Sequence, residues 1–150
     1  MNNLYPKIYM AYGSNLNIRQ MSRRCRWAEV YGTATLPDYQ LLFRGSGAAV
    51  ATIEPKQGSS VPVALWKVTA PDEAALDRYE GWPHLYRKEV VRVRVGRRWV
   101  NAFVYIMNGN LPLGRPCPSY LYTITEGYDD FGFDRAVLEE AVRASGLAGK

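Results

Sequence analysis

The chain has 150 residues, 47% of them apolar and 22% charged, which suits one globular domain over 1–150 and excludes wholesale disorder. It lacks a run of about 18–20 apolar residues that could span a bilayer, and Met1-Asn2-Asn3-Leu4-Tyr5-Pro6 does not read as a signal peptide. The lone histidine, His84, and the two cysteines, Cys25 and Cys117, exclude a clustered zinc site and a disulfide framework. The expectations are therefore a reducing cytoplasm, no metal, and unpaired cysteines with packing roles.

The formal net charge is +5, unevenly spread. Residues 1–68 carry 8 basic and 3 acidic groups, residues 69–115 carry 8 and 5, and residues 116–150 carry 3 and 6.

Lys7 to Tyr12 is a short apolar-rich run that reads as a first strand, ending at Gly13. Tyr9-Met10-Ala11-Tyr12-Gly13-Ser14-Asn15-Leu16 is a strand running into a glycine turn and then towards a helix. Such a turn lets backbone N–H groups face a carboxylate or oxyanion. It lacks the Gly-Lys-Ser/Thr of a phosphate loop. An ordinary turn with Ser14 or Asn15 as helix cap fits the same residues. Asn17 to Cys25 is helical, with Ile18 and Met21 on one face.

Trp27 to Leu36 and Tyr39 to Arg44 are β-rich and separated by the turn pair Pro37-Asp38. Ala48 to Ile53 and Val61 to Val68 flank a loop from Pro55 to Ser60. Thr69 to Gly81 reads as a capped helix: Thr69 with Asp72 three residues on, Pro71 in the first turn, and Gly81 as terminator. Ala75, Leu76, Tyr79 and Glu80 fall on one stripe, whereas Asp72, Glu73, Asp77 and Arg78 are expected mostly towards water. A carboxyl on the apolar face at a helix C-terminus is pushed towards neutrality by desolvation and by the helix dipole. That suits Glu80 to general acid/base work near pH 7. Snorkelling of Glu80 to solvent is the competing reading.

Trp82-Pro83-His84-Leu85 is turn-like, so His84 reads as structural. Tyr86 to Val95 and Trp99 to Met107 form a hairpin around Gly96-Arg97-Arg98. In Val91-Arg92-Val93-Arg94-Val95 the strict alternation places valines inward and arginines in water. With no nucleic-acid-binding signature present, this is a solvated sheet face before it is a nucleic-acid surface. Ser119 to Thr125 is open between strand and helix. Asp134 to Ala144 is a last helix, with Asp134 as cap, Leu138 and Val142 on one face and Gly146 as terminator. Many short strands joined as hairpins, with a few helices, predict an α+β fold with a largely antiparallel sheet or barrel.

Several blocks, in order, resemble the γ-glutamylcyclotransferase family. They are Ile8 to Leu16, Leu65-Trp66-Lys67-Val68, Leu76-Asp77-Arg78-Tyr79-Glu80-Gly81, Tyr86 to Val91, Ala102 to Met107, and Pro116-Cys117-Pro118-Ser119-Tyr120. The resemblance covers nearly the whole chain, and Tyr-Gly-Ser-Asn followed by Glu-Gly about 65 residues later is its most specific part. It implies a small mixed, mostly antiparallel barrel with flanking helices. It also implies release of 5-oxoproline and a free amine from a small γ-glutamyl substrate, without a cofactor. Glu80 would be general base and acid, and Tyr9, Met10, Ala11, Tyr12, Gly13, Ser14 and Asn15 would hold the glutamyl group. Tyr120 would touch substrate, and Tyr86 and Tyr105 would be pocket walls. A specialised enzyme removing a γ-glutamyl group in a biosynthetic pathway, or a binding protein without turnover, remain alternatives. The resemblance leaves the leaving amine, the oligomeric state and the role of the Arg92–Arg98 hairpin open.

Overall fold

The computed structural model describes residues 4–148. Met1–Asn3, part of the N-terminus read above, lie outside the described residues, as do Gly149 and Lys150. Five strands share one sheet: β1 (Lys7–Ala11), β2 (Glu29–Arg44), β3 (Val50–Val68), β4 (Tyr86–Val95) and β5 (Arg98–Met107), in the order β2-β3-β1-β5-β4. All neighbours pair antiparallel except β1 and β5, which run parallel. β1 is thus the central strand, and its side chains leave the sheet flanked on both sides.

The expected barrel is not closed. β2 and β4 are the edges of an open sheet. They meet through a side chain instead of a backbone ladder: a Cβ on Gly32 of β2 would stand 2.7 Å from a methyl of Val95 in β4. Glycine is required there because the edges approach so closely.

The Pro37-Asp38 pair and the 55–60 loop do not split their strands either. β2 and β3 pair along their length, with a register shift between Pro37 and Tyr39. Asp38 alone, at φ 61°, opposes the extra residues 56–59, and its carboxylate accepts from Gly58 N at 3.0 Å. A side-chain hydrogen bond thus substitutes for the ladder where proline cannot donate.

Four helices pack on the sheet: α1 (Ile18–Arg24), α2 (Ala70–Glu80), α3 (Pro118–Asp130) and α4 (Ala136–Ala148). Asn17 caps α1 by accepting from Gln20 N. α3 resolves the ambiguous Ser119–Thr125 segment as helix. Packing overrides its β-rich composition: Asn17 donates to Thr123 O and Glu126, and a Cβ on Gly127 would stand 2.7 Å from Leu16. Asp134 caps α4 by accepting from Ala136 N, as expected. Gly146, however, does not end that helix. The last turns are held on β2, where Ser145 Oγ accepts from Phe43 N at 3.0 Å. Met10, Phe43, Leu65, Leu76 and Ile124 are wholly buried in one continuous core. Each such side chain contributes roughly 1.5–3 kcal/mol by leaving water.

Val93 is buried and Arg92 and Arg94 are exposed, as the alternation predicts. Among the described residues no helix is long and apolar enough to cross a membrane.

Candidate active site

β1 ends at Ala11, Tyr12 and Gly13 follow, and Ser14–Leu16 form a single 3-10 turn. Leu16 N donates to Gly13 O and Asn17 N to Ser14 O, which closes the turn. Gly13 is packed against β3: an added Cβ would stand 3.2 Å from the Ala51 methyl and 3.8 Å from Tyr120 Oη.

α2 delivers the acid. Thr69 and Asp72 form the expected capping box, and Gly81 closes the helix in the left-handed conformation. Gly81 N donates to Arg78 O and Trp82 N to Asp77 O, which fixes the last turn. Glu80, the last helical residue, is half-buried and faces a narrow cleft of about 20 Å³. Burial pushes its carboxyl up to about 7, and the positive charge of Arg24 pulls the other way. Among the described residues none forms a hydrogen bond or ion pair with this carboxyl.

The cleft brings together nearly all the residues expected from sequence. Tyr9, Tyr12, Gly13, Ser14 and Asn15 line one side, and Tyr86, Tyr105 and Tyr120 another. Met10 and Ala11 are corrections: they do not line it. Their side chains are buried in the core and their backbones pair with Leu65 and Ala64 of β3. Ala51 is a lining residue that sequence reasoning missed. Its N–H donates to Tyr120 Oη at 3.0 Å and its carbonyl accepts from Tyr86 Oη at 2.6 Å. A small residue in a strand carries no signal of that backbone role.

The tyrosines are held by specific bonds. Tyr12 Oη donates to Tyr105 O at 2.7 Å, and Asn15 Nδ2 donates to Tyr9 Oη at 2.9 Å. Ser14 Oγ and Tyr79 Oη share a hydrogen bond of 2.8 Å. Burial raises Tyr9, Tyr12, Tyr86 and Tyr120 above the ordinary phenol range, so all four are neutral at pH 7.

A second correction concerns the other acids of α2. Asp72 and Glu73 are buried, whereas Tyr79 is 42% exposed. Asp72 is consumed by the cap and by Trp27 N. Glu73 accepts from Tyr5 Oη, Lys7 Nζ and Lys88 Nζ at 2.7, 2.9 and 2.6 Å. Burial opposes its charge, but these three donors win and hold its carboxyl at about 2. Lys88 also pairs with Asp77, which accepts from Tyr105 Oη at 2.6 Å. This network supports the cleft wall from outside. Helix periodicity could not find it, because its cations come from β1 and β4.

His84 lies outside the cleft lining and is exposed, in keeping with a structural role. Cys25 is buried, with its thiol pushed up to about 12 by desolvation, which fits packing. Cys117 does not fit that expectation, since it is exposed at the start of α3. Among the described residues no three His, Cys, Asp or Glu side chains converge to hold a metal ion.

The sequence profile of the family described as gamma-glutamyl cyclotransferase, AIG2-like, matches residues 9–127. The chain belongs to this γ-glutamyl cyclotransferase, AIG2-like family. Solved structures agree with the assignment. One described as a gamma-glutamyl cyclotransferase is 26% identical, covering 91% of this chain and 85% of that one at a TM-score of 0.77. An uncharacterized protein from Homo sapiens is 27% identical, covering 92% and 86% at 0.80. YkqA from Bacillus subtilis, at 21% identity, shares the fold at 0.78, over 93% of this chain and 54% of that one. A search of curated proteins returns no match. The family match spans both the donor turn and Glu80, and thus both walls of the γ-glutamyl cyclotransferase-like cleft.

Proposed function

We propose that this protein is a γ-glutamylcyclotransferase acting on a small γ-glutamyl amine, amino acid or peptide. The observation that carries the reading is Glu80: a carboxyl without an ion pair, tuned to about 7, facing the turn of Gly13, Ser14 and Asn15.

The substrate supplies its own nucleophile. Glu80, ionised, takes a proton from the α-ammonium group, and the freed amine attacks the γ-carbonyl. A ring C–N bond forms and the tetrahedral oxygen becomes negative. The N–H groups that open the 3-10 turn have no i−3 acceptor inside it and can stabilise that oxygen. Collapse breaks the bond to the leaving nitrogen, which receives the proton from Glu80, while the ring nitrogen, left with two hydrogens by the attack, gives its extra proton to water. The products are 5-oxoproline and a free amine, and Glu80 is again ionised. Ring closure is intramolecular, so holding one substrate conformer supplies much of the acceleration. One proton shuttle and one set of donors then suffice. Two free cysteines support a reducing cytoplasm as its setting.

The test is 5-oxoproline release by mass spectrometry across γ-glutamyl amines, amino acids and glutathione, with Glu80→Gln alongside. Release by the wild type and none by the variant is expected. Full activity in Glu80→Gln would remove Glu80 from the mechanism, and silence across the panel from folded protein would overturn the reaction.

A further inference from the structure

Arg24 ends α1 and is half-buried beside the cleft without being part of its lining. Its Nη1 donates to Asn15 Oδ1 in a short hydrogen bond. Its guanidinium carbon lies 3.4 Å from the centroid of the Tyr79 ring, a close stack. Tyr79 in turn bonds Ser14 Oγ, and Asn15 bonds Tyr9 Oη. One planar cation therefore touches the partner of Ser14 and touches Asn15 directly. These are two consecutive residues of the donor turn. Tyr79 is the neighbour of Glu80 on α2, so the same stack ties that turn to the helix end bearing the acid.

Arg24 also stands apart electrically. Among the described residues no carboxylate lies within ion-pair distance of it. The groups facing Glu80 are Tyr9 and Tyr12 from the β1 end, Tyr86 from β4, Tyr120 from α3, and Arg24 from α1. The four phenols are neutral, which leaves Arg24 as the charge that the carboxyl senses.

We propose that Arg24 is a positioning residue of this site: by clamping Asn15 and Tyr79 it fixes the donor turn against the end of α2, and it sets a positive charge beside Glu80. The inference rests on the reading of Glu80 as proton shuttle. Lysine keeps the charge but cannot present a flat fork to Asn15 and a face to Tyr79 together. Charge and shape can therefore be separated.

Arg24→Gln and Arg24→Lys are compared with wild type by pH profiles of 5-oxoproline release. The Glu80 carboxyl is also titrated by carbon NMR, assigned with Glu80→Gln. Arg24→Gln is expected to move the Glu80 midpoint upward by about one pH unit, since an opposite charge nearby favours ionisation. It should also lower kcat/KM about tenfold through misplacement of the turn. Arg24→Lys should hold the midpoint while raising KM. An unmoved midpoint with unchanged KM in Arg24→Gln overturns the proposal. Should Arg24→Gln not fold, the Lys variant decides: a KM equal to wild type refutes the clamp. A wild type that releases no 5-oxoproline overturns the reaction instead, and the NMR midpoints then decide on Arg24 by themselves.

Discussion

Glu80→Gln should stabilise the fold in a pH-dependent way. The carboxyl moves from an ordinary value of 4.5 to about 7 on folding. The folded state therefore binds this proton more tightly than the unfolded chain. Its stabilising contribution is complete below pH 4.5 and is lost as pH rises through 7. Linkage puts the loss between pH 5 and pH 8 at about 2.5 kcal/mol, or about 2 once water at the half-buried carboxyl is allowed for. Glutamine has nearly the same volume and no charge to bury, so it escapes that cost. Urea unfolding of both proteins at pH 5 and pH 8 measures the effect. The stability advantage of the variant should grow by about 2 kcal/mol across that interval. A difference between the proteins that stays constant to within about 0.5 kcal/mol would show that burial does not tune this carboxyl.

Glu73→Gln should cost about 3 kcal/mol in urea unfolding at pH 7, because Lys7 and Lys88 lose a buried countercharge. Glu73 is held near 2, so its stabilisation is present above pH 4.5 and fades as pH falls towards 2; the variant should lack that acid limb. Gly127→Ala should destabilise by about 2–3 kcal/mol, since its methyl meets Leu16 Cβ at 2.7 Å and Asn17 N at 2.8 Å. Gly13→Ala should cost about 1–3 kcal/mol, because the Ala51 methyl 3.2 Å away sits on backbone held by Tyr86 and Tyr120, and KM for γ-glutamyl substrates should rise. Thermal melts and 5-oxoproline kinetics check that pair.

What could be read from sequence was local. The α2 caps and the β4–β5 hairpin follow from spacing and turn chemistry alone, whereas spacing leaves Glu80 open between the apolar face and solvent. Most of the cleft could be named through the motif, yet Met10 and Ala11 fail because strand side chains there belong to the core. The misreadings share one cause, which is partners distant in sequence. Pro37-Asp38 breaks a strand only if β3 does not continue opposite it. Glu73 faces water only if Lys7 and Lys88 are elsewhere. Ser119–Thr125 becomes helical because Leu16 and Asn17 wait for Gly127. Arg24 carries no local signal of its role, because a basic residue ending a helix is already accounted for by the dipole.

The cap at Gly81 also governs acidity. If the last turn of α2 opened, Glu80 would meet water and return to about 4.5, the value from which folding raised it. Fraying and proton release are therefore one event. Each unit of pH between 4.5 and 7 favours the frayed, ionised form by about 1.4 kcal/mol more, and above 7, where both forms are ionised, the preference stays constant. The two hydrogen bonds that the Gly81 and Trp82 N–H groups donate back to the Arg78 and Asp77 carbonyls are what resist it. The chain after the helix thus acts as a latch on a proton, and the pull on that latch grows only between pH 4.5 and 7.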